Sequence, residues 1–96
     1  MVFRWDASKA ATNLKKHGID FHEAATVLSD TLSATFPDRA HSISEPRFVT
    51  IGMSRRGRIL VVVHTEVVVP TERGNVIRII SARRATSHER RFYEED

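Results

Sequence analysis

Three side chains capable of acid–base or electrostatic chemistry lie at even spacing in a central apolar run of the chain. We expect a strand from Arg58 to about Val69, and alternate side chains of a strand point to the same face. Arg58, His64 and Glu66 therefore share one face of the predicted sheet. RNA cleavage without a metal ion needs such groups: a base for the 2′-hydroxyl proton, an acid for the leaving 5′-oxygen, and cations for the phosphate charge.

The other face of this strand is almost entirely apolar, and we expect it to lie against the helices. It comprises Ile59, Val61, Val63 and Thr65. The next strand adds Arg78 to the polar face if the hairpin register pairs those two faces. A purely structural role fits the same residues, since cross-strand pairs of Arg58 or Arg78 with Glu66 contribute roughly 0.2 to 1 kcal/mol each. From the residues alone, both interpretations stay open.

The positive charge of the chain is concentrated in its second half. Of 96 residues, 15 are basic and 12 acidic, yet residues 1–54 carry equal numbers of each. Residues 55–91 hold nine arginines and no lysine, against Glu66, Glu72 and Glu89. Arginine donates hydrogen bonds in a planar fork that matches phosphate or carboxylate groups. This half therefore suits an anionic partner, although a solvated surface with salt bridges has the same composition.

Composition excludes several classes of protein. A chain of 96 residues that is 41% apolar suits one domain over residues 1–96, and the absence of cysteine fits a reducing compartment, so we expect the cytoplasm. The longest apolar run, residues 59–63, is far shorter than the roughly 20 residues of a membrane span. His17 and His22 lack the spacing of metal ligands, so we expect neither a metal ion nor another cofactor.

Capping signals predict three helices. Asp6 is placed to cap a helix from about Ala7 to Lys16, which Gly18 ends. Asp20, followed by Glu23, begins a second helix. Thr86 with Glu89 forms another capping box, so a short terminal helix is expected over residues 87–94.

Alternating apolar residues between turn signals predict the strands. They are expected at Val2–Trp5, Leu32–Phe36, Arg47–Met53, Arg58 to about Val69, and Val76 to about Ala82. The order βααββββα indicates an α+β domain with an antiparallel sheet. Its two N-terminal helices should cover one face and leave the other for a partner or substrate.

An ordered set of short motifs resembles the BrnT family of bacterial toxins along nearly the whole chain. The set comprises Phe3-Arg4-Trp5-Asp6, Lys9, Asn13, Lys16-His17-Gly18, Phe21, Glu23-Ala24, Val27, Arg47 to Gly52, Gly57-Arg58, Val61 to Glu66, Arg78 to Thr86, Glu89-Arg90-Arg91 and Tyr93. Each piece is short, but their shared order is specific.

The resemblance implies a RelE-like fold and a ribonuclease toxin of a type II toxin–antitoxin pair. It implies that Arg58, Arg78 and Arg83 bind RNA, and that His64 transfers protons with Glu66 assisting. RNA contacts are also expected from Lys9, Lys16 and Arg84. The implied partner is a BrnA-like antitoxin that binds operator DNA through a ribbon-helix-helix domain, and a homodimer within the complex is compatible with this. A non-catalytic interaction module or an inactive toxin is the alternative.

The chain departs from the family pattern after His64-Thr65-Glu66. Here Val67-Val68-Val69-Pro70 precedes a second Thr71-Glu72-Arg73-Gly74, which lengthens the hairpin. Either Glu66 or Glu72 could correspond to the family glutamate, and we favour Glu66. The apolar insertion predicts a contact with a second subunit or the antitoxin.

Overall fold

The computed structural model describes residues 1–41, 45–69 and 74–95. Its strands are β1 (Val2–Arg4), β2 (Ala34–Pro37), β3 (Arg47–Met53), β4 (Ile59–Val69) and β5 (Gly74–Arg84). Its helices are α1 (Ala7–His17), α2 (Phe21–Val27) and α3 (Ser87–Glu94), and a 3₁₀ turn lies at Arg39–His41. Within these residues, no helix is long and apolar enough to cross a membrane.

The predicted caps begin all three helices. The side chains of Asp6 and Asp20 accept hydrogen bonds from the backbone N–H groups of Lys9 and Glu23, at 2.9 and 2.7 Å. Gly18 ends α1 with φ of 71°, a left-handed conformation that favours glycine. Thr86 and Glu89 form the reciprocal capping box at α3. Local chemistry thus places the helix starts where the sequence predicts them.

The sheet has five strands in the order β1-β5-β4-β3-β2. β2 to β5 form the expected antiparallel meander, whereas β1 pairs with β5 in parallel. The α+β class is confirmed, with a mixed sheet in place of a purely antiparallel one. The parallel pair arises because α1, α2 and three strands separate β1 from β5, and parallel neighbours require such a long connection.

The core lies between the sheet and the two N-terminal helices, on what we call the helix face. The sheet contributes Leu60, Val62, Ile77, Ile79 and Ala82, and the opposing segment contributes Ile19, Phe21, Ala24 and Val27. The prediction that Ile59, Val61, Val63 and Thr65 face α1 and α2 is therefore wrong. The alternation of apolar residues could not show which face of β4 packs against α1 and α2, because the opposite side of the sheet, the outer face, is also partly covered. Val61 and Ile51 are buried there.

A β-bulge in β5 changes which side chains share a face. Val63 pairs with Ser81, but His64 pairs with Ile79, so Ile80 is an extra residue in the ladder. Beyond it, Arg78 pairs with Thr65 on the outer face, whereas His64 lies on the helix face. The prediction that Arg78 and His64 share a face is wrong, because one extra residue reverses the alternation of every side chain that follows.

Asn13 of α1 closes the edge of β5 beyond the end of β1. Its side chain donates to the carbonyl of Ala82 at 2.8 Å and accepts from the N–H of Ala82 at 3.0 Å. The same amide donates to the carbonyl of Ile19 at 3.0 Å. Asn13 is buried, and it satisfies backbone groups that a neighbouring strand would otherwise pair.

Candidate functional site

The outer face carries two arginines that the bulge places on the same side of the sheet. Arg78 pairs with Thr65 of β4, and Arg83 pairs with Val61. These partners are four residues apart, which corresponds to about 13 Å along the strand. Both side chains are about half exposed, at 52% for Arg78 and 42% for Arg83. The outer face thus presents two cations to solvent along a single strand.

Each of these arginines has a carboxylate partner from another segment. Arg78 contacts Glu45, which lies just before β3. Arg83 donates from Nη1 and Nη2 to the two carboxylate oxygens of Glu89, at 2.7 and 2.9 Å. The hydrogen bonds from Arg83 lower the pKa of Glu89 to about 2, against the smaller effect of burial. Glu89 is therefore ionised near neutral pH and holds Arg83 against the start of α3.

His64, the predicted proton-transfer residue, lies inside the protein. It is 2% exposed, and its ring stacks on Phe48 at a centroid distance of 6.0 Å. Burial lowers the pKa of His64, an effect that exceeds the opposing influence of the Thr65 carbonyl and of Glu66. The imidazole is therefore neutral at neutral pH and lies on the helix face, away from Arg78 and Arg83.

Two threonine hydroxyl groups form a hydrogen-bond chain with the buried imidazole of His64. Nε2 of His64 lies 2.7 Å from the Thr50 hydroxyl, which lies 2.7 Å from the Thr35 hydroxyl. Nδ1 lies 3.4 Å from the carbonyl of Thr65. These contacts suit a tautomer in which Nδ1–H donates to the carbonyl and Nε2 accepts from Thr50. His64 thus connects β4 to β3 and β2 through polar contacts.

Arg58, the first residue of the predicted polar face, forms an ion pair within the protein. Its Nε donates to Oε2 of Glu23 at 2.8 Å, and its Nη2 contacts Oε1. The Ser54 hydroxyl donates to the same carboxylate at 2.7 Å, and Glu23 is 1% exposed. The hydrogen bond from Arg58 is the main cause of the lowered pKa of Glu23. Arg58 therefore neutralises a buried charge.

Other predicted residues lie around the periphery of the sheet. Arg84 lines a cleft of about 430 Å³ at the end of β5, together with Arg58, Arg90 and Tyr93. Lys9 and Lys16 line a shallow groove beside α1. Glu66 is exposed at the rim of a cavity of about 210 Å³ next to His64. The structure therefore brings Arg78 and Arg83 to the outer face. His64 and Glu66 share a face as predicted and line one cavity, and Arg58 and Arg84 line one cleft. Glu72 lies outside the described residues.

An aromatic groove on the outer face was not predicted from the sequence. Phe36 of β2 and Phe92 of α3 lie with ring centroids 5.4 Å apart at an interplanar angle of 67°. The groove has a volume of about 210 Å³ and is lined by Phe36, Ile51, His88, Glu89 and Phe92. Its two rings come from distant segments, so spacing along the chain carries no signal for it. The contact of Glu45 with Arg78 was not predicted either, because these two residues also come from distant segments of the chain.

Among residues 1–41, 45–69 and 74–95, histidine, aspartate and glutamate side chains form no group of three or more that could hold a metal ion.

Comparisons with known proteins place these features in a family context. Residues 5–89 match the family model for the ribonuclease toxin BrnT of type II toxin–antitoxin systems. The chain is also similar to the crystal structure of the Brucella abortus ribonuclease toxin BrnT, with 28% sequence identity and a TM-score of 0.64. That alignment covers 91% of this chain and 100% of the Brucella chain. A search of curated proteins finds no match.

Proposed function

Since the chain belongs to the BrnT family of ribonuclease toxins of type II toxin–antitoxin systems, we propose that it cleaves RNA on its outer face. One observation carries this proposal: the bulge at Ile80 presents Arg78 and Arg83 together on that face. On the helix face, His64 is 2% exposed and borders only a small cavity of about 210 Å³. The outer face therefore offers the better surface for a phosphate backbone.

Arg78 and Arg83 supply positive charge to the RNA in this proposal. Guanidinium groups donate paired hydrogen bonds to phosphate oxygens, and they stabilise the charge that develops during cleavage. The 2′-oxygen attacks the neighbouring phosphorus, and the bond from phosphorus to the 5′-oxygen breaks. The products are a 2′,3′-cyclic phosphate and a 5′-hydroxyl. The reaction needs no metal ion if the arginines perform the electrostatic role.

Proton transfer is assigned to Glu45, which replaces His64 in this role. The carboxylate of Glu45 is partly exposed and lies against Arg78, so an incoming phosphate would compete with it for the guanidinium. The released carboxylate can accept the 2′-hydroxyl proton, and solvent can protonate the leaving 5′-oxygen. His64 then acts as a positioning residue, since it lies where the bulge turns Arg78 toward the outer face.

Membership of a type II system implies an antitoxin partner. We propose that this partner is a BrnA-like protein whose ribbon-helix-helix domain binds operator DNA, and that the toxin acts in the cytoplasm. A homodimer within the complex is compatible with the exposed Val67 and Val68 of the long hairpin. We expect RNA cleavage only from the free toxin, because an antitoxin bound to the outer face would prevent RNA from binding there.

The test compares Arg78→Gln with Lys15→Gln, a control that removes one charge from exposed α1. Single-stranded RNA is incubated with each purified toxin in excess chelator, and 2′,3′-cyclic termini are quantified. Because one such donor contributes a factor of about 100 to the rate, Arg78→Gln should lose most cleavage while the control retains it.

The alternative, a non-catalytic module, predicts no cleavage by the wild-type toxin. Equal cleavage by Arg78→Gln and wild type would refute the assignment of Arg78. Circular dichroism confirms that each variant is folded, and Glu45→Gln tests the proposed base in the same assay. A dependence on added magnesium would contradict the metal-independent reaction.

A further inference from the structure

The groove between Phe36 and Phe92 leaves a large part of both aromatic rings exposed to solvent. Phe36 is 38% exposed and Phe92 is 52% exposed, although both rings lie beside the buried Ile51. The ring planes meet at 67°, so the groove has two aromatic walls in place of a closed stack. Aromatic side chains in contact with solvent commonly provide binding surface for a flat apolar ligand.

The groove adjoins Arg83 of the outer face. Glu89 lines the groove and at the same time holds both Nη atoms of Arg83. The Arg83–Glu89 ion pair therefore lies at the rim of the groove, and a phosphate bound there would compete with Glu89 for the half-exposed guanidinium. This arrangement matches the two parts of a nucleotide, because a base stacks on aromatic rings while its phosphate pairs with a guanidinium.

We propose that the groove formed by Phe36 and Phe92 binds a nucleobase of single-stranded RNA, next to a phosphate contacted by Arg83. The proposal rests on the proposed function because it takes RNA as the ligand. It adds a base-binding subsite to the phosphate contacts of Arg78 and Arg83. An aliphatic side chain of a protein partner would also fit an apolar groove, but it would make no polar contact with the half-exposed guanidinium of Arg83.

The experiment measures binding to a short single-stranded RNA in which 2′-O-methyl groups prevent cleavage. Phe92→Leu keeps an apolar side chain but removes the aromatic face, and Phe92→Tyr keeps the face. Stacking on an aromatic ring changes the affinity by about ten-fold, so the leucine variant should bind about ten-fold more weakly. The tyrosine variant should bind like the wild type. Phe36→Leu tests the second wall independently.

Two controls separate stacking from other effects of the substitution. Leu14→Ala removes a similarly exposed apolar side chain, 50% exposed on α1, and should leave RNA affinity unchanged. A strand of equal length in which tetrahydrofuran units replace the nucleosides keeps the phosphates but has no bases. On this strand, Phe92→Leu and the wild type should bind equally.

Equal RNA affinity of the wild type, Phe92→Leu and Phe36→Leu would overturn the subsite. An equal loss of affinity on the strand without bases would also overturn it, because the effect would not depend on a base. Weaker antitoxin binding with unchanged RNA affinity would assign the groove to the protein partner instead. Since the probe cannot be cleaved, base-dependent binding without cleavage of ordinary RNA would refute only the proposed function.

Discussion

Two arginine–glutamate pairs on opposite faces of the sheet have the same chemistry but different surroundings. Arg58 and Glu23 pair on the helix face, where Glu23 is 1% exposed and also accepts from Ser54. Arg83 and Glu89 pair on the outer face, where the side chains are 42% and 25% exposed. A guanidinium beside a buried carboxylate must remain there, whereas a half-exposed one can exchange partners. Burial, more than residue type, therefore separates an arginine fixed in a structural ion pair from one that stays accessible to a ligand.

Breaking the buried pair should have the largest effect on stability. Arg58→Met removes the guanidinium that donates hydrogen bonds to the buried Glu23 and leaves only the exposed Arg56, 3.8 Å away, so the free energy of unfolding should fall by about 3 kcal/mol. Urea denaturation measures the change. Arg83→Met is the matched control, and its exposed pair should contribute no more than about 1 kcal/mol.

An equal loss of stability in Arg58→Met and Arg83→Met would contradict the comparison. The double variant Arg58→Met with Glu23→Leu tests whether the lost stability comes from the unpaired carboxylate. Removing both charges avoids the unpaired carboxylate, so this variant should recover much of the stability lost by Arg58→Met alone.

Acid should weaken the outer pair as its carboxylate takes up a proton. The pKa of Glu89 falls from 4.5 to about 2 because Arg83 donates hydrogen bonds to it. The unfolded chain therefore binds the proton more readily, and the stabilisation is complete above about pH 5 and lost as the pH falls toward 2. Glu89→Gln should be less stable than the wild type by about 1 kcal/mol at pH 7, after screening by solvent.

Thermal unfolding of both proteins between pH 7 and pH 2 measures this difference. The gap between the wild type and Glu89→Gln should shrink as the pH falls below 4.5. A gap that stays constant with pH would show that Glu89 stabilises α3 without its charge. The exposed Glu95→Gln controls for the general effect of acid on the C-terminal helix.

The smallest predicted effect is a dependence of stability on the protonation of His64. Burial lowers the pKa of this imidazole below 6.5 in the folded protein. The unfolded chain binds the proton first, so stability should decrease as the pH falls below about 6.5. His64→Gln should show a shallower decrease between pH 7 and pH 5 in urea titrations, whereas His17→Gln should follow the wild type. Identical pH profiles for wild type and His64→Gln would contradict the buried, neutral imidazole.

The sequence by itself determined the features that depend on neighbouring residues. Asp6, Asp20 and Thr86 begin the helices because a cap needs only its own side chain and the next few N–H groups. Alternation and turn residues located β3, β4 and β5 closely, and the order of short motifs identified the family. The arginine-rich second half left an anionic partner and a surface with salt bridges equally open, and the structure pairs Arg58, Arg78 and Arg83 with glutamates.

The tertiary structure alone decided which side chains meet. At the start of β4, residues 59–63 are apolar on both faces, so only the packing of α1 and α2 selected Leu60 and Val62 for the core. The extra residue Ile80 has no local signature, yet it moves Arg78 away from His64 and onto the face of Arg83. The rings of Phe36 and Phe92 meet only because α3 returns to the sheet. Faces, bulges and distant contacts depend on the pairing of whole strands, and that information is not contained in any local segment.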